Sequence, residues 1–111
     1  MNIQTQRQGA ISIIRPQGPL MGTDADQVKV ALLDTAGASL GRVVLDLEMT
    51  PFIDSRGLEV LVEVTEEMSG GGQSLKLCAA NKTLREVLEL TGLAGLFEIF
   101  EDVGSAARSF L

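Results

Sequence analysis

The chain has 111 residues, of which 45% are hydrophobic and 22% charged, and its formal net charge is −6. That is the size and composition of one packed domain, residues 1–111. Scattered Lys and Arg in an acidic chain, with four Phe and no Trp or Tyr, exclude the basic surface and stacking platforms of a nucleic-acid binder.

With one cysteine, Cys78, and no histidine, an internal disulfide, an ordinary zinc set and a Ser-His-Asp triad are all absent. Cys78 lies in Leu75-Lys76-Leu77-Cys78-Ala79-Ala80, which reads as a buried strand with an inert thiol. The start of the chain lacks a basic-then-apolar leader, and no apolar run approaches the ~20 residues of a membrane span. A cytoplasmic protein without a cofactor is expected.

In chain order, residues 2–15 read as a β-hairpin turning at Gln8-Gly9, with β-branched residues in Ile11-Ser12-Ile13-Ile14. Pro16, Gly18, Pro19 and Gly22 make a turn-rich loop. Thr23 or Asp24 is expected to cap a helix whose apolar positions are Ala25, Val28, Ala31, Leu32 and Thr35. Val43-Val44-Leu45 is apolar on both faces, as in a central covered strand. From Ser55 a second helix carries the stripe Leu58, Leu61, Val62, Thr65 and Met68, with Glu59, Glu63, Glu66 and Glu67 opposite, and Gly70-Gly71-Gly72 stops it.

Leu75, Leu77 and Ala79 give another strand. Asn81 is placed to cap a helix with Leu84, Val87 and Leu88, ended by Gly92. Phe97 to Phe100 forms a last strand, and Asp102 to Phe110 a closing helix. The order β-β-α-β-α-β-α-β-α predicts an α/β domain with a mostly parallel mixed sheet and an N-terminal hairpin.

The most informative segment is Phe52-Ile53-Asp54-Ser55-Arg56-Gly57-Leu58, at the junction of a buried strand and an amphipathic helix. Either Asp54 or Ser55 can cap that helix by accepting a free amide. Gly57 either exposes amides or permits close backbone approach. A phosphoryl group on Ser55 would add about −1.5 to −2 charge where the helix dipole tolerates it, leaving the fold intact while changing the surface.

Taken together, Val43-Val44-Leu45-Asp46-Leu47, this junction, Gly71-Gly72-x-x-Leu75-x-Leu77 and Leu84-x-x-Val87-Leu88-x-Leu90-Thr91-Gly92-Leu93-x-x-Leu96-Phe97 resemble the STAS family, particularly bacterial anti-sigma factor antagonists. The resemblance covers essentially the whole chain. It implies that Ser55 is phosphorylated by an anti-sigma factor with serine kinase activity and restored by a serine phosphatase. The unphosphorylated form would bind the anti-sigma factor and free a sigma factor for transcription. Carried over by motif, Asp54 flanks the phosphoacceptor and Gly57 keeps the helix start accessible, while Asp54, Ser55, Arg56 and Gly57 border the partner together with Leu20 and Asp24 of the Gly18–Asp24 loop. Where the family often has a second serine, this chain has Arg56, a residue that could pair with the phosphate or mark a different kinase. The acid that often follows the equivalent of Leu20 is absent here until Asp24.

Two other readings compete. As metal ligands for an enzyme, Asp24, Asp26 and Asp46 lie in different elements, and helix capping and strand-end solvation account for them better. Gly70-Gly71-Gly72 lacks the Lys-Ser/Thr of a phosphate loop. The other reading is a constitutive STAS scaffold or binding subunit of a stress-signalling or transport complex, in which Ser55 is only a helix cap.

Overall fold

In the computed structural model, which describes residues 1–111, β1 (Ile3–Gln8) and β2 (Ile11–Pro16) form an antiparallel hairpin joined by Gly9 and Ala10. Gly9 takes φ +62°, a conformation open to glycine that makes so tight a reversal accessible. Three parallel strands follow, β3 (Val43–Asp46), β4 (Lys76–Cys78) and β5 (Glu98–Phe100), and the sheet order is β1-β2-β3-β4-β5. The parallel steps are made by α1 (Gly22–Ala38), α2 (Ser55–Ser69) and α3 (Lys82–Leu90), with α4 (Val103–Arg108) closing the chain. The expected alternation is therefore present, with one addition, a 3-10 turn at Ala94–Leu96. No helix is long and apolar enough to cross a membrane.

The two faces of the sheet make two cores, because successive side chains of a strand point to opposite sides. Ile14, Val43, Leu45 and Leu77 pack with Val28 and Leu32 of α1, Leu61 and Val64 of α2, and Leu84 and Leu88 of α3. Ile13, Val44 and Cys78 pack on the other side with Ala106 and Ala107 of α4. Val43, Val44 and Leu45 are wholly buried, as a strand covered on both faces requires.

Cys78 is likewise buried, and desolvation, with the Asp46 and Asp102 carboxylates adding to it, pushes its thiol up to about 12. Asp46, expected at a solvated strand end, is instead fully buried. It accepts Arg15 Nε at 2.9 Å and the Glu48 amide at 3.0 Å, so its charge is compensated internally.

Two helices depart from the sequence expectation. α1 starts at Gly22, ahead of Thr23 and Asp24, and neither residue caps it; the N-cap position is Met21, which has no capping side chain. The buried face of α2 is Gly57, Val60, Leu61, Val64 and Met68, rotated from the expected stripe, leaving Leu58, Val62 and Thr65 only partly covered. A glycine adds nothing to an apolar periodicity, so Gly57 could not mark that face in the sequence. At α3 the expectation holds: Asn81 Oδ1 accepts the Leu84 amide at 2.8 Å.

Candidate functional site

The loops leaving the C-terminal ends of β2 and β3 meet at the start of α2. Leu20 and Ile53 form an isolated parallel bridge, with the Leu20 amide on the Phe52 carbonyl at 3.0 Å and the Asp54 amide on the Leu20 carbonyl at 3.2 Å. This backbone link sets the α1 loop against the residues that precede Ser55.

Asp54 then ties the two helix starts together. Its Oδ1 accepts the Gly57 amide at 2.8 Å, capping α2, and its Oδ2 accepts the Gly22 amide at 3.1 Å, serving the first turn of α1. One carboxylate thus satisfies amides at two positive helix ends, which explains why α1 needs no cap of its own. Of the two capping candidates at α2, Asp54 does the work. Ser55 occupies the first helical position, is exposed, and lies beside amides that a helix start leaves without carbonyl partners.

Gly57 answers a packing demand. A Cβ there would collide with the Leu20 carbonyl oxygen and with Cγ1 of Ile53, so the absent side chain admits close backbone approach. Gly57 is buried, and of its two readings the close backbone approach is the one the packing requires. Leu20, expected to touch a partner, is wholly buried in the main core and is a scaffold for the loop. Asp24 lies in the first turn of α1 and is partly covered.

Arg56 is turned toward α1 and along α2. Its Nη2 and Nε lie 2.6 and 3.0 Å from Oδ1 of Asp26, and its Nη1 lies 3.1 Å from Glu59 and 2.9 Å from Glu63. Lys29 also reaches Glu63, at 3.5 Å. Hydrogen bonding to Asp26 raises the Arg56 pKa further, holding the guanidinium fully charged.

The residues that sequence reasoning missed are apolar. Met21, Met49 and Phe52 are 38%, 48% and 48% exposed, and Met21 and Phe52 each adjoin a residue of the Leu20–Ile53 bridge. The available signal was the presence of large apolar side chains in turn segments, where no strand or helix period calls for them. An open groove of about 310 Å3 lined by Leu58, Val62 and Leu93, with Glu59 and Glu63 on it, lies along the outer side of α2.

Comparison with known proteins agrees with this architecture. A model of the STAS domain matches residues 2–106. The chain is 31% identical over 94 residues to BtrV of Bordetella bronchiseptica, whose name assigns it as an anti-sigma factor antagonist; the match covers 85% of this chain and 81% of BtrV. Among solved structures, a Thermotoga maritima protein carrying the same assignment superposes with a TM-score of 0.87 at 23% identity, over 96% of this chain and 92% of that one.

The Bacillus cell fate determinant SpoIIAA in its phosphorylated form gives a TM-score of 0.74 at 19% identity, over 99% and 100% of the two chains. The fold also occurs inside a larger protein: murine Slc26a9, an anion transporter, matches with a TM-score of 0.76 at 15% identity, over 95% of this chain but 18% of the transporter. The family model covers nearly the whole chain and the sheet order and helices superpose along its length, so the chain belongs to the STAS domain family.

Proposed function

We propose that this protein is an anti-sigma factor antagonist, a cytoplasmic binding module without catalytic activity that is switched by phosphorylation of Ser55. With a free hydroxyl, Ser55 and the surrounding edge bind an anti-sigma factor that is also a serine kinase, and sigma-factor-dependent transcription proceeds. Phosphorylation by that kinase ends the complex, and a serine phosphatase restores the binding form.

The observation that carries this reading is the division of labour at the α2 start. Asp54 supplies the helix cap, so Ser55 is not needed for that purpose and stands exposed at the edge that also presents Met21 and Phe52. A partner that covers this edge buries the serine. A phosphoryl group replaces a neutral hydroxyl with about −1.5 to −2 charge beside the Asp54 carboxylate. Burying that charge without compensation costs about 3 kcal/mol or more, roughly a hundredfold in affinity. The relatives named as anti-sigma factor antagonists support the partner class, and the solved phosphorylated form of SpoIIAA supports the modification.

Ser55→Ala is expected to bind the anti-sigma factor as the unmodified protein does, and Ser55→Asp to bind it more weakly. Equal affinity of the two variants in isothermal titration against a verified partner would contradict the switch and favour the constitutive scaffold. Phosphorylation should leave the far-ultraviolet circular dichroism nearly unchanged, because negative charge is tolerated at a helix start.

A further inference from the structure

The residues on either side of Ser55 are both tied to the first turns of α1: Asp54 through the Gly22 amide and Arg56 through Asp26. Arg56 is also shared with Glu59 and Glu63, so three carboxylates surround one guanidinium. With Lys29 included, this cluster holds three negative and two positive side chains, and its cations are engaged within it. A residue that looks in sequence like a ready partner for a phosphate at position 55 is thus committed elsewhere in space.

We propose that Arg56 is a positioning residue, a strap that fixes the start of α1 against α2, and that it does not receive the phosphoryl group. The second half of this proposal rests on the reading of Ser55 as a phosphoacceptor; the first half does not. In the phosphorylated protein the dianion then meets the free amides of the helix start, next to the Asp54 carboxylate. It remains an exposed, unneutralised charge aimed at the partner. Arg56 thereby joins the two helix starts into one edge.

Charge-assisted contacts of this kind hold geometry even where their net stabilisation is small. Nε and Nη2 of Arg56 both donate to one oxygen, Oδ1 of Asp26, and so link α2 to α1. Asp26 sits one turn beyond Gly22, so the Arg56 contact and the Asp54 contact brace the same segment from two points.

The test uses the full chain with phosphoserine incorporated during translation at position 55, so that its outcome does not depend on whether cells phosphorylate the site. Phosphorus NMR follows the second ionisation of the phosphate, ordinarily near pH ~6. The expected result is the same midpoint, within about 0.3 units, for the Arg56 protein and for Arg56→Gln; a paired guanidinium would lower the midpoint of the Arg56 protein by about one unit or more. Such a lowering would overturn the proposal.

The strap itself is read in the unphosphorylated chain by amide hydrogen exchange over Gly22–Asp26. Arg56→Gln and Asp26→Asn should each accelerate exchange there several-fold, the double variant should exchange no faster than Arg56→Gln alone, and Arg56→Lys should restore part of the protection. Unchanged exchange in Arg56→Gln, or independent and additive effects of the two changes, would equally overturn it. Failure of the Ser55 switch in cells would leave both readouts standing.

Discussion

The sheet has one region built to be closed and another built to be met. On the α4 side, polar groups are drawn inside and satisfied there: Asp46 takes Arg15, and Lys76, only 7% exposed, lies 3.0 Å from Glu98 with its ammonium 4.5 Å from the Phe110 ring centroid. At the Ser55 edge the arrangement is reversed. Polar contacts run between backbone and the Asp54 carboxylate, while Met21, Met49 and Phe52 are left uncovered. The first region turns its polar groups inward; the second has its polar contacts on the backbone of the loops that carry exposed apolar side chains and one hydroxyl.

Neighbouring residues at the edge should therefore respond very differently to truncation. Leu20→Ala removes a wholly buried core side chain and should cost about 3 kcal/mol, whereas Met21→Ala should stay within about 0.5 kcal/mol in urea denaturation. Comparable losses at the two positions would erase the distinction between scaffold and presented surface.

Gly57→Ala comes next. In an ordinary helix interior that change stabilises by about 1 kcal/mol, but here the new Cβ meets the Leu20 carbonyl and Ile53. A net destabilisation of about 2 kcal/mol is expected, seen as a lowered thermal midpoint. A raised midpoint would mean that the close approach does not bind the two loops.

Smaller and opposite in sign is Thr50→Val. Thr50 is 2% exposed, its buried hydroxyl has no hydrogen-bond partner, and it borders a small apolar void lined by Leu47, Ile53, Leu61, Leu84 and Leu88. Replacing it should stabilise the fold by about 1 kcal/mol, because the orphaned group is removed without loss of shape. Destabilisation would show that the hydroxyl is satisfied.

The least effect near neutral pH concerns Cys78. Its folded pKa, about 12, lies above that of an exposed thiol. Above the unfolded value the unfolded chain therefore holds fewer protons, so stability is complete at lower pH and falls as pH rises from about 9 toward 12. At pH 8 iodoacetamide should label Cys78 only through unfolding; rapid labelling of the native protein would show the closed region to be open.

How much of this was legible depended on whether the cause was local. Element order, the Asn81 cap, the double-faced burial of Val43 to Leu45 and the placement of Ser55 at a helix start follow from neighbours in sequence, and the structure has them. The start of α1 was misplaced because its amide is served by Asp54, 32 positions away. Leu20 was misplaced for a related reason, and for Gly57 two readings stood open of which the close approach holds: each is fixed by contact between the α1 loop and the start of α2, which no periodicity encodes. Arg56 read as a residue that could pair with a phosphate or mark a different kinase; its contact with Asp26 crosses between two helices, where no local spacing reveals it.

The central claim is that the Ser55 hydroxyl is the switch. Mass-spectrometric phosphosite mapping of the protein isolated from its native cells, during growth and under stress, tests it most directly. The account predicts phosphate on Ser55 whose occupancy changes with condition; an unmodified Ser55 in every condition would contradict it and leave a constitutive binding module.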